Sequence, residues 1–241
     1  MRTWRLSGAL LLLGLVSACT TPRQTLELRN NPPAIQARHE LIDTAFFPQT
    51  ENHCGPAALA SVIRYRDIDV SPEQISPMVY TPGLEGSLQA EIVAATRRFD
   101  LLPVVHNGRL DSLLHEIEAG NPVLVLQNLG FDTYPFWHYA VVVGYDLATQ
   151  TIVLRSGRYK RLERPFDNFE RSWARAENWA LVIVRPQQIP ATADAEHYLS
   201  AALALEQAGR NKPANAAYAS ASRRWPDNLL ALTGLGNTEY A

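Results

Sequence analysis

A cysteine and a histidine, distant in the chain, carry the residue types for nucleophilic chemistry. Cys54 stands in the run Gln49-Thr50-Glu51-Asn52-His53-Cys54-Gly55-Pro56-Ala57-Ala58-Leu59-Ala60, and His138 opens the run His138-Tyr139-Ala140-Val141-Val142-Val143-Gly144-Tyr145. A thiolate attacks carbonyl carbon readily, and an imidazole can take and return the proton near neutral pH. Pro56 suits a first helical turn, so Cys54 falls at a predicted helix start. The unpaired N–H groups and the helix dipole favour an anion there, which predicts a lowered thiol pKa. Gly55 leaves room for a substrate backbone, and Gln49 could donate its amide to an oxyanion alongside the N–H of Cys54. His53 adjoins the thiol but points the wrong way to pair easily. His115 falls mid-helix, His39 and His197 lie in flanking segments, and His106, at a strand end, stays open as another base. A Cys54–His138 metal pair lacks two further ligands at workable spacing, so neither a metal nor another cofactor is expected.

These residues need a helix and a sheet to hold them. Gly55–Tyr65 is spaced for one helical face, and Ser71-Pro72-Glu73-Gln74 is a capping box that opens a second helix. Ser87 is expected to cap a third helix running to about Phe99. Leu101–His106 reads as a short strand and Asp111–Ala119 as a helix closed by Gly120. Strands follow at Pro122–Gln127, His138–Tyr145, Thr151–Arg155 and Trp179–Arg185, with a short helix over Asp167–Ala176. Helices come first and the sheet second, so the fold class is α+β. His138 then sits at a sheet edge, preceded by the loop Phe131–Trp137.

The chain has 241 residues, 46% hydrophobic and 19% charged, which is globular composition with room for no more than two ordinary domains. The net charge of −2 offers no basic excess for nucleic acid. Two cysteines, Cys19 and Cys54, exclude a disulfide-rich scaffold. Arg2 and Arg5 precede an apolar run, Leu6–Val16, too short for a bilayer-spanning helix, which needs roughly 20 residues. Val16-Ser17-Ala18-Cys19 resembles the bacterial lipoprotein signal, whose cysteine is acylated and becomes the first residue of the mature chain. That resemblance implies a signal peptide over 1–18, lipidation of Cys19 and a membrane anchor. Thr20, rather than an aspartate, implies the outer membrane, with the protein facing the periplasm. Residues 19–43 are expected to hold the lipidated terminus and an extended tether, because Thr20–Ala34 is polar and holds three prolines. With Cys19 acylated, Cys54 is left as a lone thiol in an oxidising compartment.

From Ala193 alanine dominates and the pattern turns helical. A 34-residue unit begun at Ala195 puts Tyr198, Ala202, Gly209, Ala214, Tyr218, Ala221 and Pro226 where a tetratricopeptide repeat takes aromatic, small or proline residues. A second, incomplete unit would begin at Leu229. Residues 194–241 are therefore expected to form a repeat-like region that binds a protein partner.

Gln49-x4-Cys54-Gly55-Pro56-Ala57-Ala58-Leu59-Ala60 and the later His138-Tyr139-Ala140-Val141-Val142-Val143 resemble the bacteriocin-processing, double-glycine-leader cysteine peptidases of the papain-like clan. The resemblance covers roughly Phe46 to Pro186, within a domain placed at 44–187. It implies a helical half carrying Cys54 as nucleophile, packed on an antiparallel sheet carrying His138 as general base and acid, with Gln49 as oxyanion donor. The family usually carries an Asp or Asn on the next strand to orient the imidazole. Here Ser156 or a neighbour stands there, and Asp146 is at the far end of the hairpin. The expected activity is peptide-bond hydrolysis through a Cys54 acyl-enzyme, with a peptide or protein substrate. The alternatives are a catalytically weakened domain serving as an envelope scaffold, or a cell-wall peptide amidase.

Overall fold

A computed structural model describes residues 21–48 and 53–239. The signal segment, Cys19 and Gln49 lie outside them. Where an extended tether was expected, the chain forms a docked helix, α1 (Arg23–Asn30), which buries Thr25 and Leu28. Its apolar pattern is thin, and tertiary hydrogen bonds hold it instead. The carboxylate of Glu170 accepts from the N–H of Gln24 at 2.9 Å and from the N–H and Oγ1 of Thr25, both at 2.6 Å. Strand β1 (Arg38–Glu40) follows.

The next helix, α2 (Cys54–Arg64), buries every residue from Gly55 to Ile63. A helix apolar on all sides must be covered on all sides. Helix α3 (Pro72–Val79) opens with the expected capping box, the Ser71 N–H donating to Gln74 Oε1 at 2.8 Å. A small hairpin then intervenes: β2 (Tyr80–Thr81), a 3₁₀ turn (Pro82–Leu84) and β3 (Gly86–Ser87). Ser87 therefore ends a strand and is not the expected helix cap; α4 (Gln89–Arg97) starts after Leu88.

Strand β4 (Leu102–Val105), helix α5 (Leu110–Glu118) and strands β5 (Val123–Asn128), β6 (Trp137–Asp146) and β7 (Thr151–Ser156) fall close to their predicted positions. Strand β8 (Tyr159–Pro165) was not foreseen; α6 (Phe166–Ala174) and β9 (Ala180–Val184) were. The sheet is antiparallel throughout, in the order β4-β9-β5-β6-β7-β8. β1 pairs with the last residues of β6, beyond the reach of β5. Helix α2 packs on β6, β5 and β7, and α3 and α4 pack beside it. Helices α5 and α6, bridged by α1, pack on the sheet's other face, where Tyr145 meets Glu118 and Gln127 meets Ser172. The class is α+β, as expected.

Helices α7 (Ala195–Gln207), α8 (Asn211–Arg224) and α9 (Leu229–Glu239) close the described chain. α7 lies on β4, and the apolar core runs unbroken from the sheet into these helices. An added Cβ at Gly234 would fall 2.3 Å from the Tyr218 ring, so only glycine lets α9 approach α8 this closely. Among the described residues, no helix is long and apolar enough to cross a membrane.

Candidate active site

Cys54 is the first residue of α2, and its half-buried thiol is free. The neighbouring strand supplies its surroundings: the backbone N–H of Tyr139, and those of Gly55 and Cys54 itself, reach the sulfur. Tyr139 directly follows His138, so the thiol lies against the start of β6, the strand that carries His138. His138 Nε2 lies 2.8 Å from Ser156 Oγ. One step beyond the last β6–β7 pair, Val141↔Arg155, Ser156 comes opposite Ala140, on the diagonal from His138. Asp146 pairs with Thr151 at the other end of that hairpin.

Burial dominates the electrostatics. It raises the Cys54 thiol above its ordinary value, although the three N–H groups pull it down. It also lowers the His138 imidazole. The lowered thiol pKa expected from the helix start is thus reversed, because removal from water outweighs the terminal N–H groups. Both shifts favour the uncharged pair, thiol and imidazole, over a thiolate–imidazolium pair.

The β2–β3 hairpin closes over the start of α2. A Cβ on Gly55 would lie 2.5 Å from Ser87 Oγ, so glycine is what admits the hairpin. Tyr139 Oη donates to the Ser87 carbonyl at 3.2 Å, tying the hairpin to β6, and the Trp179 ring meets Tyr139 edge-on. His53 stacks on Tyr80, with centroids 5.2 Å apart. An open cavity of about 730 Å³ lies beside this pair, lined also by Phe47, Pro48, Ala57 and Pro72. That volume suits a substrate side chain or short segment. The contributions of Tyr139, Ser87 and Tyr80 were missed from sequence. Only the tyrosine beside His138 carried any signal.

The remaining histidines have other surroundings. His106 is buried near Trp173, its Nδ1 accepting from the N–H of Gly108 at 3.1 Å. His115 Nδ1 meets the Asp111 carbonyl, His197 pairs with Asp194, and His39 lies in β1. Among the described residues, no cluster of His, Cys, Asp and Glu could hold a metal.

A helix bearing a half-buried thiol, set against an antiparallel sheet bearing a histidine, has a counterpart among known families. Residues 36–181 match the model described as the Peptidase_C39 like family. The chain belongs to that family. Family and fold together support a C39-like cysteine peptidase. A solved structure titled a putative C39-like peptidase from Bacillus anthracis aligns with TM-score 0.52 and 16% identity, over 61% of this chain and 97% of the other. The peptidase domain of Streptococcus ComA, described as a bi-functional ABC transporter involved in quorum sensing, aligns with TM-score 0.48 and 17% identity, over 58% and 98%. A double glycine motif protease from an AMS/PCAT transporter, solved with its leader peptide, aligns with TM-score 0.45 and 19% identity, over 62% and 99%. No curated protein matches the chain.

Proposed function

We propose that this C39-like protein hydrolyses peptide bonds through a Cys54 acyl-enzyme, with His138 as base and then acid. The observation that supports this reading is a backbone contact: the Cys54 sulfur meets the N–H of Tyr139, the chain neighbour of His138, whose Nε2 is 2.8 Å from Ser156 Oγ. For Nδ1 to serve as base, Nε2 must hold the proton and donate it to Ser156. Ser156 is then the positioning residue, filling the place of the family's Asp or Asn.

Because both groups are held uncharged, the thiol proton passes to the imidazole as sulfur attacks the carbonyl carbon. An S–C bond forms, and the carbonyl oxygen takes the negative charge; the N–H of Cys54 and, by the family resemblance, the amide of Gln49 are assigned as its donors. The C–N bond then breaks, and the imidazolium gives its proton to the departing amine. Water, deprotonated by the same imidazole, attacks the thioester and releases the acid and the thiol. Atoms and charges balance without a cofactor.

The same proposal places the enzyme on the periplasmic face of the outer membrane through acylated Cys19. It assigns helices α7–α9 to a tetratricopeptide-like unit that holds a protein partner, their starts at Ala195 and Leu229 fitting that period. Membership of the C39-like family supports a peptide substrate here. A second reading, a scaffold with weakened catalysis, draws on the raised thiol and the serine at the third position.

The deciding experiment uses the full chain with Cys19→Ser, which leaves Cys54 as the only thiol. Treated with p-nitrophenyl acetate, it forms an acetyl adduct on Cys54, seen by intact mass, and His138→Ala slows acylation by about 100-fold. If no adduct forms, or if His138→Ala acylates at the parent rate, the peptidase reading fails and the scaffold stands.

A further inference from the structure

Exposed aromatic side chains are confined to one end of the sheet. Among the described residues they are Phe131, Tyr134, Phe136, Trp137 and Tyr159, each more than half exposed. Three belong to the connection between β5 and β6, and Trp137 opens β6 just before His138. Tyr159 begins β8, paired with Ser156 across the β7–β8 turn. Since β6 starts beside the end of β7, both connections lie at the His138 end of the sheet. Single exposed apolar residues are ordinary, but a contiguous group marks a contact surface.

The β5–β6 loop is built to hold these rings outward. The buried Asn128 accepts at Oδ1 from the N–H groups of Gly130 at 3.0 Å and Phe136 at 2.9 Å, and donates from Nδ2 to the Phe131 carbonyl at 3.3 Å. The Arg175 guanidinium holds the Asn128 carbonyl with two hydrogen bonds, of 2.9 and 3.1 Å. Phe131 and Tyr134 close the turn on each other, each backbone N–H donating to the other's carbonyl. A Cβ on Gly130 would fall 2.3 Å from the Tyr134 carbonyl, so the turn closes only around glycine. Rings presented on such a fixed turn lose little freedom on contact.

We propose that this aromatic rim is the docking surface for the peptide substrate, taking an extended segment that carries apolar side chains beside the scissile bond. The inference rests on the peptidase reading and adds the chemical class of its substrate. Continuity selects the occupant: Trp137 adjoins His138 in the chain, and Tyr159 pairs with Ser156, whose hydroxyl meets the imidazole, so a peptide bound across His138 has the rim beside it.

The test uses the full chain with Cys19→Ser and Cys54→Ala, which binds without reaction, so its outcome is independent of catalysis. Two labelled ten-residue probes are compared by fluorescence polarisation, one with Leu and Phe at alternate positions and one with Ser there. The apolar probe binds at least about tenfold more tightly, and Phe131→Ser with Tyr134→Ser removes most of that difference. Matched thermal melts show that the double variant folds. Equal affinity for the two probes, or a preference the double variant retains, overturns the proposal. So does a rim whose double variant loses only binding to phosphatidylglycerol vesicles or to muropeptide glycan.

Discussion

At the scale of single residues, burial sets the pH behaviour. His138 acts as base only when neutral, and its lowered pKa keeps it neutral to below the ordinary imidazole range. Cys54 is raised and so stays a thiol into the alkaline range. Acylation of Cys54 should therefore keep its rate below pH 6.5, the acid limb falling under the ordinary imidazole value. Ser156→Asp puts a carboxylate on the imidazole and stabilises its charged form. The acid limb should then move up by about one pH unit, read from rates between pH 4 and 9. Ser156→Ala should lower kcat by about tenfold or more with little change in KM, as for a residue that orients another. An unmoved acid limb in Ser156→Asp would remove Ser156 from that role. His106 gives the companion stability effect. Its imidazole is pushed down to about 4 by burial, and its Nε2 finds no partner among the described residues. The folded protein thus refuses a proton that the unfolded chain accepts near pH 6.5. Stability from this group is intact above pH 6.5 and lost as pH falls towards 4, on the order of 3 kcal/mol in all. Urea titrations at pH 7 and pH 4.5 should show the loss, and His106→Phe should reduce it. An equal loss in the variant would place the acid sensitivity elsewhere.

At the scale of elements, the contact between the β2–β3 hairpin and α2 decides how closed the Cys54 corner is. Gly55→Ala puts a methyl within 2.7 Å of both Ser87 Oγ and Ser87 Cβ. The hairpin must move, because α2 is packed along its whole length and cannot. The helix itself gains from alanine, so global stability should change by less than about 1 kcal/mol. Peptide hydrolysis should fall by about tenfold or more as Tyr139 loses its tie to Ser87; full activity in Gly55→Ala would make the hairpin a bystander. This contact was invisible in the sequence because β2 and β3 have two residues each, too few for any periodicity. Ser87, before a polar helical pattern, looked like a cap for the same reason. Helix α2 and strands β5, β6 and β9 were readable, since their apolar runs allow little besides burial. The polar β8 was not: as an edge strand it carries Lys160, Arg161 and Arg164, which guard the edge but hide the strand pattern. The thiol could be placed at a helix start from Pro56 and the small residues after it. Its raised pKa could not be read, because desolvation comes from tertiary neighbours that local sequence does not name. Helix α1 was missed because one carboxylate, Glu170, far along the chain, supplies what its own apolar residues lack.

At the scale of the molecule, the C-terminal helices are latched to the peptidase part. Glu116 of α5 is fully buried, and its carboxylate accepts from Asn121 Nδ2 at 2.7 Å, from the N–H and Oγ1 of Thr192 at 2.6 Å, and from the N–H of Ala191 at 3.2 Å. The connection into α7 is thereby fixed on α5. On either side of it, Tyr198 Oη donates to the Pro186 carbonyl and Ser220 Oγ to the Gln187 carbonyl. Further along, Arg210 donates to the carbonyls of Arg97 and Arg98 at the end of α4. Apolar packing of α7 on β4 completes the join, so any partner held by these helices is held at a fixed position relative to Cys54. Two domains on a loose linker would melt separately; this arrangement should melt as one. Calorimetry on the chain should show a single transition. Glu116→Ala strands the buried Asn121 amide and three part-buried donors of the connection and should cost about 2 kcal/mol, lowering the midpoint by roughly 6 °C while leaving one transition. Two resolved transitions in the parent chain would mean that the helices fold apart from the sheet, and the latch would then have no bearing on where a partner sits.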